Sequence, residues 1–301
     1  MAWLEPLPCR RRYHAVMTNK FPLGPDVHRG SVPVKWPGGA RSAALISFDV
    51  DAETMWISRD TTNSRRPALI SHGTYEANIA VPEILQVLKD FRIKATFFVP
   101  GWTADNHTAV MAQILEAGHE IGHHGYLHFW PDPDQPAEEK QEIELGLEAL
   151  QRNFGIKPLG YRCPAGETTE RLIPLLKEYG LSYDSSFMDD IHPYEHTIGG
   201  RPSGVVELPW HWSLDDVPYI VYSLRGQRAI QTNDHILAIW QEEFEQHHAR
   251  GALFDLIMHP QAIGRPSRLT LLRRFLEFMQ SHDGVWCATA GQIAQHVLQS
   301  R

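Results

Sequence analysis

Short apolar runs alternate with amphipathic segments along most of the chain, starting near Ala43. Apolar runs of this length, bounded by turn residues, are typical of buried β-strands. The pattern predicts eight strands, at residues 44–50, 95–99, 119–122, 159–162, 181–184, 205–208, 253–258 and 285–288.

The segments between these strands have helical spacing. One helical face is apolar at Ile84, Leu85, Val87 and Leu88. Glycines that follow periodic residues indicate helix ends. On this basis the segments 137–154, 169–179, 234–248 and 268–282 are predicted helices that end before Gly155, Gly180, Gly251 and Gly284. Asp105 or Thr108 is expected to cap the helix that Gly118 closes.

Regular alternation of strands and helices with short connections gives parallel strands covered by helices. Seven or eight such units predict an α/β fold, a single (β/α) barrel domain formed by residues 41–301. Residues 1–40 are rich in Pro and Gly and lack periodicity. We expect an extended N-terminal arm there, laid over the barrel or exchanged with a neighbouring subunit of a homo-oligomer.

Composition narrows the class of protein. Of the 301 residues, 43% are hydrophobic and 21% charged, which excludes global disorder and a coiled coil. Lys and Arg total 28 and Asp and Glu total 36, so the formal charge of -8 argues against nucleic-acid and anionic-membrane partners. Cys9, Cys163 and Cys287 form no CxxC pair, so neither a disulfide framework nor a thiolate zinc site is expected. Since no apolar stretch is typical of a secretory signal or a membrane span, we expect a cytoplasmic protein.

Polar side chains follow the predicted strands directly, where barrels of this kind build their active sites. The first strand runs into Asp49, Asp51 and Glu53, which alternate and therefore share one face. Neighbouring carboxylates repel each other unless a cation or an arginine compensates them. Turn formation or helix capping would explain the same residues without any chemistry.

A histidine pair follows the third strand. His124 and His128 lie four residues apart, and on a helical turn this spacing puts both imidazoles on one face, within reach of one ion. Gly122 and Gly125 permit a close approach. In a chain with 17 histidines such a pair also arises by chance. Its position beside the carboxylates favours metal binding.

Arg162 and His259 follow two further apolar runs. An arginine there suits a buried carboxylate, and a histidine at the mouth of a barrel can transfer protons. Each could instead be a satisfied structural group. Aromatic and acidic residues at 208–216, including Trp210 and Asp215, could wall a pocket or orient His259, or equally be core aromatics followed by a turn.

This ordered set of motifs resembles the polysaccharide deacetylase family, carbohydrate esterase family 4, over residues 43–290. The matching segments are Asp49-Val50-Asp51, His124 to His128, Arg162-Cys163-Pro164, Trp210 to Asp216 and Ile257-Met258-His259. The resemblance implies a distorted (β/α) barrel with about seven parallel strands. Residues 183–186 and 190–194 are similar to a cytoplasmic branch with cyclic imide hydrolases, metal-independent allantoinases and an atypical peptidoglycan deacetylase.

The resemblance implies a metal-dependent hydrolase of carbon–nitrogen bonds other than peptide bonds. Asp51, His124 and His128 would bind a divalent metal, and zinc is the expected ion. Asp49 would act as general base and Arg162 would hold it ionised. His259, helped by Asp215 or Asp216, would protonate the leaving nitrogen.

The substrate side of the site has its own candidate groups. A backbone N–H within residues 161–166 or near Tyr126 would stabilise the oxyanion. The expected substrate contacts are Glu53, Tyr126, Trp210 and Asp215. The substrate would be a small molecule or a glycan, and a small cytosolic amide or cyclic imide is favoured over an N-acetylated polysaccharide because no export signal is recognised.

Two other functions stay open. A non-haem iron oxygenase could use Asp51, His124 and His128 as its two-histidine, one-carboxylate set. A barrel that has lost activity could serve binding alone, although Asp49 and His259 argue against it.

Overall fold

The computed structural model describes residues 32–222 and 229–300. All eight predicted strands are present, together with one, β6, that the hydrophobic pattern does not predict. In chain order the strands are β1 Ser42–Asp49, β2 Thr96–Val99, β3 Glu120–His123, β4 Gly160–Tyr161, β5 Tyr183–Asp184, β6 Tyr194–Ile198, β7 Arg201–Glu207, β8 Leu253–Met258 and β9 Val285–Cys287.

The strands form one sheet in the order β6-β7-β5-β4-β3-β2-β1-β8, with β9 paired to β1. One edge of β1 carries β8, and the other edge is shared between β9 at its start and β2 at its end. Beyond β7, a bridge between Asp215 and Ile257 joins the chain to β8 and closes the curve. The result is the expected distorted (β/α) barrel, with eight parallel strands and antiparallel β6.

The unpredicted strand β6 forms a hairpin with β7 through Gly199 and Gly200. Their φ angles of 58° and 72° are those of a two-residue hairpin turn, which glycine adopts without steric cost. Polar residues Glu195, His196 and Thr197 fill the middle of β6, so the apolar pattern is weak there. The Gly-Gly pair is the sequence signal that predicts the hairpin.

Helices cover the outside of the sheet, as predicted. The α-helices of the described residues are α1 Thr54–Ile57, α2 Pro67–Tyr75, α3 Val81–Phe91, α4 Gly101–Asn106, α5 Thr108–Glu116, α6 Pro136–Phe154, α7 Leu172–Glu178, α8 Val217–Ile220, α9 Asn233–Arg250, α10 Pro260–Ile263, α11 Pro266–Gln280 and α12 Ala290–Gln299. Single 3-10 turns occur at Pro37–Gly39, Thr61–Arg65, Pro164–Gly166 and Trp212–Leu214, and a π-helical turn at Glu76–Ala80. Within these ranges, none of the helices combines the length and apolarity needed to cross a membrane.

The predicted cap of α5 is wrong. His107 precedes the first turn of α5 without a side-chain cap. The carboxylate of Asp105 instead accepts hydrogen bonds from Arg152 at 2.7 Å and Asn153 at 2.6 Å, both on α6. Gly118 follows the helix with φ of 72°, which confirms the predicted end.

The two faces of β1 differ in polarity, and the candidate catalytic residue Asp49 lies on the interior face. Ile46 and Phe48 point toward the helices and join the largest apolar cluster, where full burial of such side chains contributes about 1.5–3 kcal/mol each. Leu45 lies on the opposite, interior face. Ser47 and Asp49 continue that face. The interior of the barrel therefore becomes polar at the carboxyl end of β1.

Most of the predicted N-terminal arm, including Cys9, lies outside the described residues. In the described remainder, Trp36 packs against Trp286 and His296, with ring centroids 6.0 and 6.2 Å away. Its indole N–H donates to the carbonyl of Gly251 at 2.8 Å. Residues just before β1 thus lie on the barrel, and exchange with another subunit stays a prediction.

Candidate functional site

Two carboxylates come from the end of β1 and the turn after it. Asp49 is the last residue of β1, and Asp51 follows two positions later on the same side. Both are buried, Asp51 completely. Ala52 then turns the chain with φ of 50°, a left-handed conformation that costs a residue with a side chain roughly 1–2 kcal/mol.

His124 and His128 meet in a loop, so the prediction of a helical turn is wrong. β3 ends at His123, and Gly125 and His128 have left-handed backbones with φ of 74° and 61°. This loop brings the two imidazole centroids to 5.0 Å. The pair therefore converges as expected, but because of loop conformation and not of helical spacing.

Asp51, His124 and His128 point their polar atoms at one another. Nε2 of His124 lies 3.5 Å from Oδ1 of Asp51, and Nε2 of His128 lies 3.5 Å from Oδ2. The Nδ1–H of His124 donates to the carbonyl of Arg162 at 2.7 Å, which leaves a lone pair on Nε2. Burial, with the charge of His259, lowers the pKa of His128 to about 3, so its ring is neutral.

This trio fits a divalent metal ion. Both carboxylate oxygens of Asp51 and Nε2 of His124 are buried without a hydrogen-bond partner among the described residues. An unsatisfied buried polar group is costly, and two imidazoles with one carboxylate are a ligand set that catalytic zinc sites use. All three side chains can direct one ligand atom to a common point.

Arg162 holds Asp49. Its Nη1 donates to Oδ1 of Asp49 at 2.8 Å, and its Nη2 donates to Oδ2 of Asp255 at 2.7 Å. The guanidinium also lies 4.1 Å from the centroid of the Phe98 ring. Burial opposes ionisation of Asp49, but Arg162, followed by His124 and His259, lowers the pKa of Asp49 below its ordinary value. Asp49 is therefore a carboxylate.

His259 follows β8 and is fixed by Asp216. Its Nδ1 lies 2.9 Å from Oδ1 of Asp216, and its backbone N–H donates to the same carboxylate at 3.1 Å. Asp215 is 3.9 Å from Nδ1, too far for a hydrogen bond. Burial disfavours the imidazolium, but Asp215 and Asp216 raise the pKa of His259 well above its ordinary value. Of the two acidic residues left open by the sequence, Asp216 is the direct partner.

A cavity of about 350 Å³ opens over these groups. Asp49, Asp51, His128, Arg162 and His259 all line it. Trp130 and Trp212 stand at its wall and are 53% and 38% exposed. The polar groups thus lie in one pocket with aromatic side chains at its opening.

The four predicted substrate contacts divide into two pairs. Trp210 and Asp215 line the cavity. Glu53 does not, because its carboxylate binds Nε2 of His107 at 2.7 Å and the hydroxyl of Thr74 at 3.0 Å beyond the turn.

Tyr126 is also placed away from the cavity. Its hydroxyl donates to Asp105 at 3.1 Å, and its backbone N–H donates to Glu142 at 2.9 Å. Tyr126 is thus neither a substrate contact nor an oxyanion donor, because both of its donors are already used. The predicted substrate contact at Tyr126 is therefore wrong for this geometry, and the oxyanion donor predicted near Tyr126 is not the N–H of Tyr126 itself.

In the predicted oxyanion segment 161–166, the loop after β4 leaves the N–H of Ala165 without an acceptor among the described residues. The N–H groups of Arg162, Cys163 and Gly166 donate to other protein groups. Ala165 lines the cavity with φ of 57°, and its N–H donates no hydrogen bond within the described ranges. The N–H of Ala165 is the donor that this segment can offer to a substrate.

Sequence reasoning missed Asp255 and Ser185 as partners of Arg162. Asp255 accepts hydrogen bonds from Ser47 at 2.8 Å and Ser185 at 3.1 Å besides that from Arg162. An acidic residue in the middle of the apolar run 253–258 was the available signal, since a buried carboxylate needs a partner. Ser185 carries no comparable signal.

Comparison with known proteins supports one family. The sequence model of polysaccharide deacetylases matches residues 72–183. A solved structure from Mycobacterium smegmatis assigned to the polysaccharide deacetylases is 37% identical, with a TM-score of 0.85, over 90% of this chain and 95% of that one. The peptidoglycan deacetylase of Helicobacter pylori is 27% identical over 85% of this chain and 96% of its own length.

A structure named as an allantoinase has the same fold. The Puue allantoinase shares it with a TM-score of 0.77 at 24% identity, over 91% of this chain and 95% of that one. The likeness to the Mycobacterium smegmatis structure covers nearly all of both chains. The cluster of Asp51, His124 and His128, which could hold a metal ion, is compatible with a metal-dependent hydrolase. The chain belongs to the polysaccharide deacetylase family, a family of metal-dependent hydrolases that act on carbon–nitrogen bonds of amides.

Proposed function

We propose that this protein is a zinc-dependent hydrolase of a small amide or cyclic imide. The observation that carries the proposal is one cavity lined by Asp49, Asp51, His128 and His259. His124 completes the trio, with its Nε2 3.5 Å from Oδ1 of Asp51. Its volume of about 350 Å³ is at the lower end of the range for small-molecule sites. Such a cavity takes one small ring or one sugar unit.

Asp49 is the proposed general base. Zinc held by the trio would polarise the scissile carbonyl and lower the pKa of the attacking water. Arg162 occupies Oδ1 of Asp49, so Oδ2 is the oxygen that accepts the proton from water. Because Arg162 also keeps Asp49 ionised, it acts on the reaction by positioning and charge.

His259 is the proposed general acid. Asp216 holds Nδ1, and Nε2 lies 3.8 Å from Oδ2 of Asp51, on the side of the proposed metal. A protonated ring in this orientation can donate to the nitrogen that leaves as the carbon–nitrogen bond breaks. The N–H of Ala165 would donate to the oxyanion of the tetrahedral intermediate.

An acetamido group on a sugar is the second candidate substrate. The peptidoglycan deacetylase of Helicobacter pylori, similar over most of the chain, favours it. Trp130 and Trp212 at the mouth offer flat apolar faces to a ring that extends out of the cavity. The cavity volume is compatible with a small free substrate and with a single sugar unit, whereas the relative favours a glycan.

A substrate panel tests the proposal. Zinc-loaded protein is assayed with succinimide, allantoin and N-acetylglucosamine oligomers, beside the variant Asp49→Asn and the surface control Asp90→Asn. We expect hydrolysis of a small substrate, a loss of about 10²–10⁴-fold in kcat for Asp49→Asn, and wild-type rates for Asp90→Asn.

Each other outcome has a defined meaning. Cleavage of the sugar oligomers alone would overturn the small substrate and keep the hydrolase. No cleavage of any substrate by fully zinc-loaded protein would refute the proposal. Oxygen consumption by the iron-loaded protein would instead favour the oxygenase that the same trio permits.

A further inference from the structure

The turn that carries Asp51 is held in an unfavourable backbone conformation. Ala52 has φ of 50°, and Asp51 precedes it directly. Residues with a side chain keep such a conformation only when their surroundings fix it. The groups that bind Ala52 therefore decide where the carboxylate of Asp51 points.

The side chain of Glu76 accepts a hydrogen bond from this turn. The N–H of Ala52 donates to Oε1 of Glu76 at 2.8 Å, and the side-chain amide of Gln261 donates to Oε2 at 2.9 Å. The same amide of Gln261 donates to the carbonyl of Ala52 at 3.3 Å. Glu76 is completely buried and Gln261 is 4% exposed. Both side-chain oxygens of Glu76 thus accept hydrogen bonds from segments that carry site residues.

Gln261 connects Glu76 to the segment that carries His259. It lies in α10, whose first residue, Pro260, follows His259. Its side-chain oxygen accepts the indole N–H of Trp56 at 2.8 Å. Glu76 therefore joins the loop that carries Asp51 to the loop that carries His259, although the two loops are far apart in sequence.

Local helix geometry explains how Glu76 reaches the turn. The N–H of Val81 donates to the carbonyl of Glu76, five residues earlier, in a π-helical turn between α2 and α3. Pro82 follows, and it has no N–H to continue the ordinary α-helical pattern. Single π-turns of this kind are frequent at functional sites.

We infer that Glu76 is a positioning residue of this site. Its carboxyl group aims Asp51 toward the proposed metal and fixes His259 through Gln261. The inference rests on the proposed role of Asp51 as a metal ligand. Groups that orient metal ligands in this way typically change metal affinity or activity by 10–100-fold when they are removed.

Zinc titration of metal-free protein tests the inference without relying on turnover. Wild type, Glu76→Gln and Glu139→Gln are titrated with zinc chloride against a chromophoric chelator. Glu139 is the matched control because it is a buried carboxylate, 3% exposed, that binds Thr169 at 2.8 Å and Arg171 at 2.9 Å away from the trio. We expect the zinc Kd to rise about 10-fold or more in Glu76→Gln and to stay within 2-fold in Glu139→Gln.

Two further readouts separate positioning from general destabilisation. The visible spectrum of the cobalt-substituted protein should change in Glu76→Gln, because Asp51 and the metal geometry move together. With the substrate identified by the panel, kcat should fall while KM stays within about 2-fold, since Glu76 is not among the residues that line the cavity. If Glu76→Gln does not fold, Gln261→Met decides by the same criteria.

An equal zinc Kd in wild type and Glu76→Gln, or an equal loss in Glu139→Gln, would overturn the inference. A wild-type protein that binds no zinc would overturn the proposed function itself. The two failures are therefore distinguishable.

Discussion

Arg162 is a fully buried cation held between the buried carboxylates of Asp49 and Asp255. Loss of one partner leaves part of this charge uncompensated in the interior. We expect Asp255→Ala to lower the free energy of unfolding by about 3–5 kcal/mol. It should also lower kcat, because Arg162 loses the anchor that directs it to Asp49. Urea unfolding and steady-state kinetics measure the two effects.

Asp90→Ala is the matched control for this prediction. Asp90 pairs with Arg273 at 2.8 Å on the surface, with side-chain exposures of 39% and 41%. Water and salt screen such a pair, so its loss should leave stability unchanged. Equal effects of the two substitutions would contradict the importance of the buried network.

His119 makes stability depend on pH. Burial, followed by the charge of Lys94, lowers the pKa of His119 to about 4 from 6.5. The folded state therefore binds fewer protons than the unfolded state between these values, so stability is present above pH 6.5 and is lost as the pH falls toward 4. Nδ1 of His119 accepts the N–H of Ala95 at 3.1 Å, which requires the neutral ring.

The variant His119→Asn isolates this titration. Asparagine offers an oxygen to the N–H of Ala95 and does not titrate. We expect its urea midpoint to fall less than that of wild type between pH 7 and pH 5. Parallel losses in both proteins would assign the acid sensitivity to other groups.

The positions of Asp49 and Asp51 could be predicted from the sequence, whereas those of Glu53 and Asp216 could not. Alternation along β1 follows from strand geometry, so Asp49 and Asp51 were predictable site residues. Glu53 continues the same alternation in sequence, but the left-handed Ala52 redirects the chain and sends Glu53 to His107. The choice of Asp216 over Asp215 likewise depends on a backbone direction that spacing does not reveal.

Among the helices, α2 lies directly against the turn that carries Asp51. A Cβ added at Gly73 would overlap the backbone of Ala52 and Glu53. Because backbone atoms cannot yield as a flexible side chain can, we expect Gly73→Ala to lower stability by about 1–3 kcal/mol and to weaken zinc binding. Thermal unfolding and zinc titration measure both.

Ser71→Ala tests whether that effect belongs to the contact or to the helix. Ser71 is exposed on the same helix, so its replacement should change stability by no more than about 0.5 kcal/mol. Normal zinc affinity in Gly73→Ala would contradict the proposed dependence of Asp51 on this turn.

Elements were predictable to the extent that they bury apolar side chains. Most of the eight parallel strands contain an apolar run, as β1 and β8 do, and the sequence predicts all eight. β6 escaped because Glu195, His196 and Thr197 dominate it, and its turn at Gly199 and Gly200 is a signal of another kind. His124 and His128 were found for their spacing, although a loop brings them together.

For the whole molecule, zinc should act as a stabilising ligand. Binding to the folded state alone stabilises it by about 2.7 kcal/mol when free zinc is 100 times Kd. For a domain of this size we expect the midpoint of thermal unfolding to rise by roughly 5–10 °C. Differential scanning fluorimetry with zinc and with excess chelator measures the shift.

The chain has 17 histidines in all, including His124 and His128, so Asp51→Asn controls for zinc held by the others. This variant should lose the shift, because the carboxylate of the trio is gone. An equal rise in Asp51→Asn would place the stabilising zinc elsewhere.

The strands that carry the two sides of the cavity differ in length. β1 has eight buried residues and three partners, whereas β4 and β5 have two residues each. Short strand pairings open locally at a lower free-energy cost than long ones. We therefore expect amide hydrogen exchange to be slower in residues 43–48 than in residues 160–161 and 183–184. The wall formed by residues 163–167 should therefore tolerate mutation better than β1, which positions Asp49 and Asp51. Such a division would let one framework accept new substrates while Asp49 and Asp51 keep their positions.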